Sequence, residues 1–180
     1  MFDENIGILN TAPVELELKD DTKPVCSRTY PVPRVHKEMF RKEVDIVVLL
    51  GVLKEANESE WGAPYFAQPK PKTDRIRFLS DFWNLTRQIK NKPYPMPKIR
   101  ERLSNLESFQ YTTSLYLSRG YYNIRLIKEA SNLFTIILPW GNYKYKFLPM
   151  GVCNSPEIFQ DKMNEVFVEY NLLEHTSMTY

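Results

Sequence analysis

Cysteine and long apolar runs are what this sequence has least of. Its two cysteines, Cys26 and Cys153, lie far apart and match no Cys-x-x-Cys or Cys/His spacing. That argues against a zinc-binding module and against a disulfide-stapled secreted scaffold, and it fits a reducing, intracellular compartment. No apolar stretch approaches the roughly 20 residues that a membrane-spanning helix needs. Met1 to Asn10 carries two acids where a signal peptide would carry basic residues. Internal repeats and low-complexity tracts are absent as well.

What remains is suited to one folded domain. The chain has 180 residues, 43% of them hydrophobic and 13% aromatic, enough to fill a core. Thirteen prolines cluster before and between the apolar segments and imply sharp redirections of the chain. The net charge of +2 hides an asymmetry. From Lys70 to Arg102 there are ten Lys or Arg against Asp74, Asp81 and Glu101, so this stretch is +7 and the remainder −5. Such a basic stripe is a candidate phosphate-binding surface, or else a solvated charged face.

Periodicity gives the elements. Val14 to Leu18 alternates with acids and reads as a short strand, followed by a proline-rich arm. Phe40, Val44, Val47 and Val48 share one face of a helix over His36 to Leu50, with Gly51 as its C-terminal cap. Tyr65 to Lys70 and Arg75 to Asp81 read as a hairpin about Pro71-Lys72-Thr73-Asp74. A short helix is expected from Lys98 and a strand over Tyr111 to Leu117, which leads into a turn at Arg119-Gly120. Leu133 to Leu138 and Tyr143 to Leu148 flank a second hairpin signal, Pro139-Trp140-Gly141-Asn142. Ser155-Pro156 supplies an N-cap and first-turn proline for a last helix whose apolar face holds Phe159, Met163, Val166, Phe167 and Tyr170. Helices and hairpins alternate irregularly, so the class is α+β.

Four ordered blocks then resemble one family. Leu50-Gly51-Val52-Leu53 with Ser59-Glu60-Trp61-Gly62-Ala63-Pro64 comes first, then Ile76 to Arg87 followed by Lys92-Pro93-Tyr94-Pro95-Met96-Pro97-Lys98-Ile99. Thr112 to Ile124 and Leu148-Pro149-Met150-Gly151-Val152-Cys153-Asn154-Ser155-Pro156 complete the set. Together they are similar to the reverse transcriptases of gypsy-type long-terminal-repeat retrotransposons. The resemblance implies the fingers and the front of the palm of a right-hand polymerase, incomplete, over 35–180, with 1–34 as an extended arm. It also implies an RNA–DNA primer–template as partner and Mg²⁺ as cofactor. Lys70 and Arg77, opposite each other on the fingers hairpin, would contact the incoming triphosphate; Tyr121 would lie beneath its sugar. Met150 and Gly151 would belong to the nucleotide-side turn, where glycine lets backbone approach closely. Asp81 reads as structural.

The departures are more informative than the matches. Tyr116 stands where the family has the first metal-binding aspartate, and the sequence ends at Tyr180 where the family continues into Ile-Asp-Asp. Mg²⁺ takes hard, anionic oxygen ligands, whereas a phenol with a pKa of about 10 is neutral and bulky at pH 7. Glu129, Glu157 and Asp161 are the remaining nearby acids, none in a motif. Trp83 and Thr86 replace the usual arginine and asparagine of the template-side fingers, and Asn123 a common His or Gln. The expectation is therefore a reverse-transcriptase fragment that retains no metal and no polymerase activity. The alternative is a domesticated, non-catalytic module that binds nucleic acid, or a protein partner at an open palm edge.

Overall fold

The computed structural model describes residues 6–69, 76–91 and 117–169. Its longest early helix, α1 (Lys37–Leu49), follows a single 3₁₀ turn at Arg34–His36. Phe40, Val44 and Val47 are buried on one face, as their spacing requires, and Val48 is half-buried beside them. Gly51, at φ +72°, ends the helix in the left-handed conformation that glycine adopts without strain. The chain then enters β1 (Leu53–Glu55), a strand that sequence alternation does not reveal.

Two sheets follow. β2 (Tyr65–Pro69) and β3 (Ile76–Ser80) form an antiparallel pair in which Tyr65 faces Ser80 and Gln68 faces Arg77. β4 (Thr135–Leu138) and β5 (Gly141–Tyr145) form the second hairpin, and β1 joins β5 on its other side to give the order β1-β5-β4. Leu138 pairs with Gly141, so only Pro139 and Trp140 make the turn. Between the sheets run a short helix α2 (Trp83–Thr86), a 3₁₀ turn at Gly120–Asn123 and α3 (Lys128–Leu133). α4 (Ser155–Glu169) is the last element.

The arm departs from expectation. Val14 to Leu18 is not a strand: Val14 bridges Leu126 in parallel and Leu18 bridges Ile89 antiparallel. Passing two different partners, this stretch never builds a ladder on either. Val14 nonetheless lies in the core, so the arm is bound to the body at that point. Ser155 is not the cap of α4, either. Asn154 accepts the first helical bond from the Ile158 amide, while the Ser155 hydroxyl donates to the Pro149 carbonyl at 2.9 Å. The expected helix from Lys98, most of the strand over Tyr111 to Leu117, and Tyr170 lie outside the described residues.

One apolar core joins both sheets to α1 and α4. Phe40 stacks on Tyr65 with centroids 4.8 Å apart and meets the edge of Trp140 at 5.9 Å. Phe82 packs edge-on against Phe134 and Tyr145 at 5.0 and 5.9 Å. Offset and edge-to-face contacts of this kind add to the area buried. Phe159 and Met163 bring α4 into the same cluster.

Candidate nucleotide and nucleic-acid site

Arg77 is exposed on β3, apart from the buried Phe159, so the hairpin presents its cation to solvent. Its cross-strand neighbour is Gln68. The pair imagined from sequence, Lys70 directly opposite Arg77, is therefore not the register of the sheet, and Lys70 itself lies outside the described residues. The strand that carries Arg77 ends at Ser80, and Ser80 is where the hairpin meets the Met150–Gly151 turn. Gly151 has φ +90°, and a Cβ built on it would come within 2.9 Å of the Ser80 carbonyl oxygen. Glycine is thus required here by the close approach of another strand as well as by its own backbone. Met150 beside it is 39% exposed.

A buried line of hydroxyls runs on from Ser80. Its side-chain oxygen lies 2.8 Å from that of Tyr145, and Tyr145 in turn hydrogen-bonds Tyr122. Burial pushes the Tyr145 phenol well above its ordinary pKa and raises Tyr122 also, so both stay neutral and keep their hydrogen bonds. Tyr122 follows Tyr121, whose ring is half-buried and meets Phe159 edge-on at 5.3 Å. Arg119, which opens this turn at φ 54°, lies 3.9 Å from Glu43 of α1. Three of the residues singled out from sequence, Arg77, Tyr121 and Gly151, are thus connected through Ser80, Tyr145 and Tyr122. None of the latter three stood out in the sequence; only the Tyr143/Tyr145 alternation on β5 hinted at an inward-facing pair.

Asp81 is structural, as its neighbours show. One carboxylate oxygen accepts the Trp83 amide at 3.0 Å and the other accepts the Tyr30 hydroxyl at 3.1 Å. Glu157 and Asp161 line a cleft of about 330 Å³ between the arm and the start of α4, with Glu15, Glu17, Lys90 and Lys162. Glu129 is exposed on α3. Among the described residues no three His, Cys, Asp or Glu side chains converge as a metal site, and Tyr116 lies outside them. Both cysteines are free and exposed, and no described helix is long and apolar enough to cross a membrane.

Residues 68–180 match the family model for reverse transcriptase (RNA-dependent DNA polymerase). The chain belongs to the reverse transcriptase family. It is 29% identical over 165 residues to the retrovirus-related Pol polyprotein from transposon gypsy of Drosophila melanogaster, covering 89% of this chain and 16% of that protein. With the corresponding polyprotein of transposon 297 it shares 27% over 147 residues, 79% of this chain and 14% of that one. The chain thus spans about a seventh of the length of the curated relatives it matches. Among solved structures, the foamy viral protease–reverse transcriptase bound to RNA/DNA hybrid superposes with a TM-score of 0.82 at 19% identity, over 96% of this chain and 23% of that one. The selenomethionine-labelled prototype foamy virus protein gives 0.78 at 23%, over 92% and 22%. At these identities the superposition establishes the fold: part of the fingers and palm of a polymerase, as α+β patterning and the motif blocks implied.

Proposed function

We propose that this reverse transcriptase domain, of gypsy-type descent, binds nucleic acid but does not transfer nucleotides. Tyr116 carries the reading. At neutral pH a phenol supplies no charge to offset the dehydration of Mg²⁺, and it is bulkier than the aspartate that the family has at this position. Two-metal chemistry supplies the activated primer hydroxyl and the charge neutralisation of the triphosphate. A domain with tyrosine at this position lacks one of the carboxylates that would hold the two ions. Gypsy-type descent is supported by the Ile76 to Arg87 and Leu148 to Gln160 blocks.

Binding is the part of the ancestral function that the residues support. The exposed Arg77 on the hairpin and the +7 stretch from Lys70 to Arg102 suit a phosphate backbone. Lys70, Arg77, Tyr121, Met150 and Gly151 are the nucleotide-side residues of that surface. The test is made in a chain extended by the Asp-Asp hairpin of a gypsy-type relative, so that only residue 116 is at issue. With Tyr116 the extended chain should fail to lengthen a primer on an RNA template in Mg²⁺ or Mn²⁺. With Tyr116→Asp it should succeed. Template-dependent extension by the tyrosine form overturns the inactive reading. Binding of an RNA–DNA hybrid, followed by anisotropy, should weaken steeply between about 50 and 200 mM salt; affinity indifferent to salt would argue against an electrostatic surface.

A further inference from the structure

Trp83 is 66% exposed and Tyr30 is 47% exposed, although large aromatic side chains are the residues that gain most from burial. Neither residue is loosely tethered: Asp81 accepts the Tyr30 hydroxyl on one oxygen and the Trp83 backbone amide on the other. The Asp81 amide is itself fixed to the Pro64 carbonyl at 2.9 Å, at the base of the hairpin. A second tie, from the Asn84 side-chain amide to the Ser27 hydroxyl at 3.2 Å, fastens the arm to α2 beside the same carboxylate. Two segments far apart in sequence are thereby joined with an aromatic side chain left outward on each.

Cations flank the pair. The Arg87 amide bonds the Trp83 carbonyl at 3.2 Å, which places the exposed Arg87 one helical turn from Trp83. Lys19 donates to the Arg87 carbonyl at 2.9 Å, and its ammonium therefore lies at this turn. Exposed Arg28 is two residues before Tyr30. Aromatic rings interleaved with cations suit a ligand with flat apolar faces strung on an anionic backbone. An apolar protein partner would leave these charges desolvated and unpaired.

We propose that Tyr30 and Trp83, anchored by Asp81, form a stacking platform for unpaired bases of single-stranded nucleic acid. This deepens the binding half of the function proposed above and is independent of Tyr116. Because the Trp83 backbone and the Tyr30 hydroxyl are already held, less ordering is needed when a base arrives. Stacking accepts any base, so the platform is indifferent to sequence.

The test uses the full chain with two oligomers of equal phosphate number, a 12-mer of deoxythymidine and its abasic counterpart. Tryptophan fluorescence is the readout, since Trp61 and Trp140 are half-buried against the core while Trp83 is open. The thymidine oligomer should quench emission and bind about tenfold or more tightly than the abasic one. Trp83→Ala should remove the quench and reduce thymidine affinity to the abasic level; Tyr30→Leu should cost several-fold. Tyr30→Phe, which keeps the ring and loses the anchor, should fall between Tyr30→Leu and the unaltered chain. Equal affinity for the two oligomers, or a Trp83→Ala chain that still distinguishes them, overturns the platform while leaving phosphate binding intact. No binding of either at low salt overturns both. Quenching by an apolar peptide but not by thymidine would assign the pair to a protein partner and also overturn it.

Discussion

Gly151 combines two constraints that a single side-chain carbon would violate. Its φ of +90° is a strained value for any residue with a Cβ, and that Cβ would stand 2.9 Å from a backbone oxygen that has no freedom to swing aside. Gly151→Ala should therefore lower stability by about 1–3 kcal/mol, seen as a thermal midpoint several degrees lower. A midpoint unchanged would show that β3 and the turn can part without cost. From sequence this glycine was expected to let backbone approach a nucleotide; the close approach to the Ser80 carbonyl was not legible, because a glycine announces room and never what fills it. Tyr145 poses the opposite case, a position chosen for what it adds. Tyr145→Phe keeps the ring in the core and strands the buried Ser80 hydroxyl and the Tyr122 phenol, each left short of a partner. That should cost about 1–3 kcal/mol, measurable as a lower urea midpoint with an unchanged slope. Nothing local to Ser80, Tyr122 or Tyr145 encodes their meeting; it follows from three elements converging, and no spacing rule reports that.

At the scale of elements, α1 is fastened mainly through Phe40, which is fully buried and touches Tyr65, Phe78 and Trp140 at once. Truncating it should cost about 3–5 kcal/mol. Phe40→Ala is thus expected to unfold at markedly lower denaturant, whereas Leu49→Ala, at an 87% exposed site on the same helix, should be nearly neutral. Similar losses from the two would mean that α1 is not docked as described. Elements with self-contained signals were readable: the three-and-four spacing of α1, the Gly51 cap, and both hairpins. β1 was not, since three residues carry no alternation and become a strand only by pairing with Tyr143 to Tyr145. Val14 to Leu18 failed in the opposite sense. It has alternation, but the Val14 amide and carbonyl bond Arg125 and Ile127 at one end, while the Glu17 carbonyl accepts the Lys90 amide at the other. Pattern reports which face is apolar; it does not report whether one neighbour runs alongside for long enough to make a sheet.

For the molecule as a whole, the buried phenols set a limit on alkaline stability. Tyr145 and Tyr122 keep their protons in the folded state beyond the ordinary tyrosine value of 10.0, chiefly because burial penalises the charged form. In the unfolded chain the same groups ionise near 10.0. Above that pH the unfolded state binds fewer protons than the folded one, so stability falls as pH rises; below it the contribution is fully present. Urea midpoints should accordingly be flat with respect to these residues up to about pH 9 and drop from about pH 10 upward. Other groups titrate in that range, lysines above all, so the comparison that isolates the effect is with a chain carrying both Tyr145→Phe and Tyr122→Phe. That chain should start from a lower midpoint at pH 8, because its hydroxyl line is gone, and should then lose less between pH 9 and 11. The two curves converge at high pH if the phenols are buried and neutral as described. Parallel curves would mean that these tyrosines ionise as readily in the folded molecule as in the unfolded chain, and that the junction between fingers and palm is open to water.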